Sequence, residues 1–312
     1  MKILVTPASF KPETVNPQSK TALDRLHDFA ENLVFNPHPR PLNEDELICL
    51  LEGCDGCIAG LDPFTANVIK STSDLKVISR YGTGVDNVDM QAAKEKNIIV
   101  CNTPGANSQA VADLTFGLLL CLTRKIPLFD RNTRNGQWDR FIGTELYHKT
   151  IGILGLGKIG KAVARRAAGF SMRILACSPH IDSEYAQANG IIPVDFNTLI
   201  TESDFLSLHL PLKPDTRNII CAPVMRAMKK GAIIINTARG GILDEAAAYD
   251  LLKSGHLGGL ALDVYETEPV TSSPLFELDN VVLTPHTAAR TIEATAAMAE
   301  MSVDNLIEKL KQ

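Results

Sequence analysis

The sequence lacks an excess of basic residues: 31 Lys and Arg stand against 36 Asp and Glu, a net charge of −5. That balance gives no electrostatic reason to bind nucleic acid or a membrane surface. It also lacks a long hydrophobic run. The N-terminal MKILVTPASF is too short an apolar stretch for a signal peptide, and no segment approaches a membrane span. No disulfide framework is legible either. The seven cysteines, an odd number scattered through apolar segments, read as reduced thiols of a cytoplasmic protein. Cys54 and Cys57 form a lone C-x-x-C, but zinc needs a second pair of ligands and none follows. Both are read as small apolar groups of a loop and strand start, and no metal is expected. Internal repeats, low-complexity tracts and long flexible linkers are absent too.

What is present is the composition of a globular chain, 45% hydrophobic and 21% charged over 312 residues, enough for two domains. Short apolar runs alternate with helical patterns nearly throughout, which predicts parallel sheets covered by helices. KILVT, CIAGL, LKVISRYG and NIIVCNT read as strands, and Ala22–Asn32 and Met90–Lys96 as helices. Residues 107–135 read as one long, largely buried helix, kinked or broken at Pro127 and capped by Asn107 or Ser108. A second sheet starts at Lys149. The expected fold is α/β, two doubly wound parallel-sheet (Rossmann-like) domains with a cleft between them. Residues 1–100 with 288–312 form a discontinuous substrate domain, because the final helix Thr291–Leu310 packs back, and residues 101–287 a dinucleotide domain.

Gly155-Leu156-Gly157-Lys158-Ile159-Gly160 is a G-x-G-x-x-G that follows the apolar strand Ile151–Leu154 and opens a helix. The glycines permit a tight turn, close approach of backbone to a pyrophosphate, and close helix–strand packing. The helix start offers unpaired N–H groups and a positive dipole end. After the next strand, Arg173–Cys177, an acidic residue would hold the ribose hydroxyls of NAD, but Ser178-Pro179-His180 stands there. The turn lacks the charge that repels a 2′-phosphate and also lacks an arginine that would reward one. NAD is expected, with NADP left open.

Three further residues end strands in the same half of the chain. Arg239 follows Ile233–Ile235, Glu268 follows Leu260–Val264, and His286 follows Val281–Leu283. In a doubly wound sheet, ligands bind outside the carboxyl ends of the strands. There a guanidinium can grip a carboxylate and polarise a carbonyl. An imidazole can give or take a hydroxyl proton near neutral pH, and a carboxylate beside it favours the protonated form.

With these motifs the sequence resembles the D-isomer-specific 2-hydroxyacid dehydrogenase family, and within it the 3-phosphoglycerate dehydrogenase branch. The resemblance is carried by GLGKIG, INTARGGILDE, ALDVYETEP and TPHTA, and reaches the first domain through SRYGTGVDNVD and NTPGANSQAVADLTFGLLL. It implies that Arg239 binds substrate, that His286 is the acid/base and that Glu268 is its partner. It implies that Asp263 holds the nicotinamide carboxamide, and that Thr103, Leu210, Thr237, Ala238, His286 and Ala288 line the cofactor cleft with Gly155, Gly157, Lys158, Ile159, Gly160 and Ser178. Arg80, Gly82, Thr83 and Gly84 correspond to the segment that holds the substrate's acid end. The expected partner is a small 2-hydroxy or 2-keto acid, with 3-phosphoglycerate, glyoxylate and hydroxypyruvate as candidates. A dinucleotide-sensing regulator is the alternative from another class. No appended regulatory domain is expected, and hence no feedback by serine. Trp138 reads as a packing anchor beneath a loop or a subunit contact. The density of Leu and Phe in residues 107–135 leads to the expectation of a homodimer.

Overall fold

The computed structural model describes residues 1–312. The chain divides into two units, Met1–Asn107 with Ala289–Gln312, and Ser108–Ala288, so the division falls at Asn107 rather than near residue 100.

The first unit is built on parallel strands β1 (Lys2–Val5), β2 (Asn32–Phe35), β3 (Gly56–Ala59), β4 (Val77–Arg80) and β5 (Ile99–Cys101), in the order β2-β1-β3-β4-β5. Helices α1 (Lys20–Phe29), α2 (Glu44–Leu51), α3 (Ala66–Ser71) and α4 (Met90–Glu95) cover it. The period-2 alternation of a strand decides which helix each residue meets. Leu4 and Ile78 join a core with Leu47, Leu51 and Ile69 of α2 and α3. Ile3, Val5 and Val77 join one with Leu23 and Leu26 of α1 and Val303 and Leu306 of the final helix, Ile292–Leu310. Each such leucine, fully buried, contributes on the order of 2 kcal/mol. Cys54 and Cys57 sit in the first of these cores, and burial pushes both thiols up. One expectation needs correction here. The helix expected over Ala22–Asn32 stops at Phe29, because Ala30 is extended and Asn32 already starts β2. That strand, α2 and α3 are too short and weakly patterned to stand out in the sequence.

The second unit has seven parallel strands: β6 (Thr150–Leu154), β7 (Arg173–Cys177), β8 (Ile191–Pro193), β9 (Phe205–Leu208), β10 (Ile233–Asn236), β11 (Gly259–Leu262) and β12 (Val281–Leu283). Their order is β12-β11-β10-β9-β6-β7-β8, so the chain runs one way from β6 through β8 and the other way from β9 through β12. The crevice at that reversal, at the carboxyl ends of β6 and β9, is the topological switch point. Helices α5 (Ser108–Thr123), α6 (Ile126–Arg134), α7 (Lys158–Gly169), α8 (Ser183–Ala188), α9 (Phe196–Glu202), α10 (Ala222–Ala227) and α11 (Glu245–Lys253) complete the unit.

The single helix expected over 107–135 is two helices, and the break precedes Pro127. Pro127 lies in the first turn of α6, where no N–H is required, and Lys125 turns left-handed at φ 53° to start it. A continuous helix would press the proline ring on the Thr123 carbonyl. That carbonyl instead accepts the Thr144 N–H at 2.8 Å. The apolar side of α5 is used within the unit: Val111, Phe116, Leu118 and Leu119 are buried. The uncovered apolar surface lies beyond it, on Ile126, Trp138, Phe141, Ile142 and Tyr147. Trp138 is 77% exposed and is no packing anchor.

Candidate active site

Loops at the carboxyl ends of second-unit strands build the candidate site. The first follows β6. Gly155 takes φ +100°, and a Cβ there would come within 2.5 Å of the His209 carbonyl oxygen after β9. A Cβ on Gly160 would stand 2.1 Å from the Gly155 carbonyl, so α7 packs as close to β6 as a hydrogen allows. Around Gly157, by contrast, nothing lies within 4 Å of where a Cβ would be. Gly157 is the N-cap of α7 without a side-chain cap, and no acid stands in that helix's first turn. An uncapped, acid-free helix start fits the pyrophosphate of a dinucleotide. Lys158 and Ile159 are its first two residues. Leu210, in the loop after β9, would lie 3.2 Å from a Cβ on Gly155.

At the end of β7, Ser178 lies half-buried, and the turn Ser178-Pro179-His180 itself carries no carboxylate. The nearest acid in sequence, Asp182, is engaged in accepting the Tyr185 N–H at 3.0 Å as the N-cap of α8.

The loop after β10 answers what the strand-end arginine rests on. Asn236 folds the chain back on itself: its Oδ1 accepts the Ala238 N–H at 3.0 Å and its Nδ2 donates to the Arg239 carbonyl at 2.8 Å. Thr237 is tied to Thr115 of α5 through their hydroxyls, 3.1 Å apart. Ala238 is buried, and its carbonyl accepts from Arg239 Nη1 at 2.7 Å.

The loops after β11 and β12 carry the acid–base pair. His286 Nδ1 meets Glu268 Oε2 at 2.7 Å, and both side chains keep about a quarter to a third of their surface exposed, 26% and 31%. Glu268 Oε1 also accepts the Tyr265 N–H at 3.0 Å. Burial alone would raise the Glu268 carboxyl; the hydrogen bond and charge of His286, the Tyr265 N–H and the Arg239 guanidinium outweigh it and hold the group below its usual range. The pairing assigns the Nδ1 proton to the Glu268 side and leaves Nε2 for other partners. His286 stands at φ 49°, a left-handed backbone uncommon outside glycine. Asp263 holds the segment around it. Fully buried, it accepts Thr284 Oγ1 at 2.6 Å, the Thr287 N–H at 2.8 Å and the Ala288 N–H at 2.9 Å, while its carbonyl accepts the His286 N–H at 2.9 Å. The whole segment Thr284–Ala288 is thus wound around one carboxylate.

Arg80, Gly82, Thr83, Gly84 and Thr103 belong to the first unit. Arg80 ends β4 at 2% exposure. Its guanidinium turns onto main-chain carbonyls: those of Gly84 at 3.0 Å, Ala59 at 2.6 Å, and Gly60. Gly82 takes φ +154°, closed to most side chains, and its carbonyl accepts the Thr103 N–H at 3.0 Å. Thr83 Oγ1 lies 3.1 Å from Asn107 Oδ1, and its carbonyl accepts from Asn102 at 2.6 Å. Thr103 itself is fully buried, with a hydroxyl that has no hydrogen-bond partner. A buried orphan hydroxyl of that kind fits a bound polar group. Sequence reasoning missed Asn236 and the clamping part played by Asp263. An Asn directly after a buried strand and before small residues is a turn signal that would have found the first; the second rests on long-range contacts.

The family model described as D-isomer specific 2-hydroxyacid dehydrogenase, NAD binding domain, matches residues 116–288. A D-3-phosphoglycerate dehydrogenase of Methanocaldococcus jannaschii is 47% identical over 250 residues, 79% of this chain and 48% of that protein. The chain thus spans about half the length of such relatives. A hydroxypyruvate reductase of Thermotoga maritima is 40% identical over 312 residues, 97% of this chain and 99% of that protein. Among solved structures, the TT0316 protein of Thermus thermophilus superposes with a TM-score of 0.88 at 36% identity, covering 100% of this chain and 97% of that one. The glycine cradle on β6, the three strand-end side chains and these matches lead to one conclusion: the chain belongs to the D-isomer specific 2-hydroxyacid dehydrogenase family.

Proposed function

We propose that this protein catalyses reversible hydride transfer between a nicotinamide dinucleotide and C2 of a D-2-hydroxy acid or the matching 2-keto acid. The observation that carries the reading is the His286–Glu268 pair at 2.7 Å in the same strand-end cluster as Arg239. A nicotinamide dinucleotide, held at Gly155–Gly160, supplies or accepts the hydride. Arg239 binds the substrate's carboxylate and polarises the C2 oxygen. His286 Nε2 donates the proton to that oxygen in reduction and removes it in oxidation, while Glu268 fixes the imidazole through Nδ1. Asp263 keeps the histidine aimed. Arg80 braces the Gly82–Gly84 loop within the first unit. The acid-free turn at Ser178 accepts both NAD and NADP.

For the substrate, the phosphoglycerate-like relatives favour 3-phosphoglycerate, and the hydroxypyruvate reductase that matches almost end to end favours hydroxypyruvate or glyoxylate. A panel of 3-phosphoglycerate, hydroxypyruvate, glyoxylate and pyruvate, assayed with both cofactors, decides. Turnover of none of them under either cofactor would favour a dinucleotide-sensing regulator. The free thiols suit a reducing compartment such as the cytoplasm. No helix is long and apolar enough to cross a membrane. The exposed patch at Ile126, Trp138 and Phe141–Ile142 supports a homodimer, to be checked by light scattering.

A further inference from the structure

Glu245 opens α11 directly after that helix's N-cap, Asp244. A first-turn acid ordinarily serves the helix dipole with its charge. Glu245 does something else. Its Oε1 accepts the backbone N–H of Glu266 at 2.8 Å, across to the loop after β11. The preceding amide of that loop, Tyr265 N–H, is held at 3.0 Å by Glu268 Oε1, and Glu268 Oε2 holds His286. Two consecutive amides of one irregular loop are therefore gripped by two carboxylates, one inside the loop and one on α11.

The same loop has no slack on the side of Arg239. A Cβ on Gly240 would fall 1.8 Å from the Tyr265 carbonyl oxygen and 2.5 Å from the Glu266 nitrogen. The turn that carries Arg239 and the loop that carries Glu268 are in main-chain contact, and Glu245, at the far end of that turn, ties them again. The turn is anchored in its own right, since the Asn218 N–H donates to the Gly241 carbonyl at 2.7 Å and the Ile220 N–H to Ile242 at 3.1 Å.

We propose that Glu245 is a positioning residue for the acid–base pair: as a hydrogen-bond acceptor it fixes the Tyr265–Glu268 loop and so the aim of Glu268 at His286. The proposal rests on the functional reading given above. Burial, and the charges of Glu266 and Glu268, push the Glu245 carboxyl up against the pull of the Glu266 N–H. Arg217, 3.9 Å from Glu266, and Arg239 are the cations of this neighbourhood. An oxygen in such a place acts as an acceptor whether or not it carries charge, and glutamine supplies the same oxygen without the charge.

The test compares Glu245→Ala with Glu245→Gln. The alanine variant is expected to lose about tenfold in kcat with dinucleotide binding within about twofold of the parent, and the glutamine variant to recover to within about twofold. Amide hydrogen exchange across residues 265–268 is measured on the same proteins without any substrate. Exchange should rise in the alanine variant and stay near the parent in the glutamine variant. That readout supports the brace even in a protein that turns over no member of the substrate panel, which separates this proposal's failure from failure of the functional reading. Unchanged exchange in the alanine variant, or a glutamine variant as impaired as alanine, overturns it.

Discussion

Two arginines end two buried strands, and their surroundings give them opposite employment. Arg80 closes β4 with its guanidinium turned onto the carbonyls of Ala59, Gly60 and Gly84, at 2% exposure. Arg239 follows β10 after an asparagine turn that carries it outward, in the electrostatic neighbourhood of Glu268. In a parallel sheet both positions are at the carboxyl ends of strands, where ligands bind. What separates them is how far main-chain acceptors already surround the charge. A guanidinium enclosed by carbonyls is part of the fold; the one in the electrostatic neighbourhood of the acid–base pair is the one proposed to serve a substrate's carboxylate.

The comparison can be broken most forcefully at the pair itself. His286→Ala is expected to lower kcat by roughly a hundredfold or more while dinucleotide binding and folding survive, because the side chain is partly exposed and its removal leaves the Asp263 clamp in place. Steady-state kinetics with a dinucleotide titration check this, and near-parental turnover would remove His286 from the reaction. Next come the arginines. Arg80→Ala removes a buried guanidinium from the Ala59, Gly60 and Gly84 carbonyls and should cost on the order of 1–3 kcal/mol of stability, whereas Arg239→Ala, at a partly exposed side chain, should cost less. Denaturant melts of both variants decide, and equal losses would erase the distinction between the two arginines.

A smaller effect is expected at the cofactor turn. Ser178→Asp should reduce NADP efficiency by about tenfold and NAD efficiency much less, by placing a charge against the 2′-phosphate. Equal effects on both cofactors would mean that Ser178 does not face the ribose. A pH-dependent effect concerns His209, whose imidazole is pushed down to about 3 by burial from an ordinary value of 6.5, with Nε2 2.8 Å from Ser207 Oγ and Nδ1 buried without a partner. Between those two values the unfolded chain binds a proton that the folded chain refuses. Stability therefore falls as pH drops through that window, by at most about 1.4 kcal/mol per pH unit from this group. His209→Gln should flatten that part of the pH dependence, and an identical slope in parent and variant would contradict it.

Much of this was legible in the sequence where the chemistry is local. Gly155–Gly160 announces its cradle because the demands on each glycine arise within six residues, and Arg239, Glu268 and His286 stand out because charged groups ending apolar strands need a reason. The rest depends on contacts across the fold. Asp263 clamps Thr284–Ala288 from the neighbouring strand, and Glu245 reaches the Glu266 amide from another helix. No spacing pattern encodes either. The break of the long helix at Lys125 rather than at Pro127 has the same origin, since the Thr123 carbonyl is taken by Thr144 from a later loop.

The most direct test of the central claim compares a 2-keto acid with the corresponding 2-keto amide, which lacks the carboxylate. The ratio of their kcat/KM values is measured in the parent, in Arg239→Ala and in Arg80→Lys. Strong preference for the acid is expected in the parent, a preference retained in Arg80→Lys, and its collapse in Arg239→Ala by about a hundredfold. A preference that survives in Arg239→Ala undiminished would contradict the assignment of Arg239 to the substrate's carboxylate.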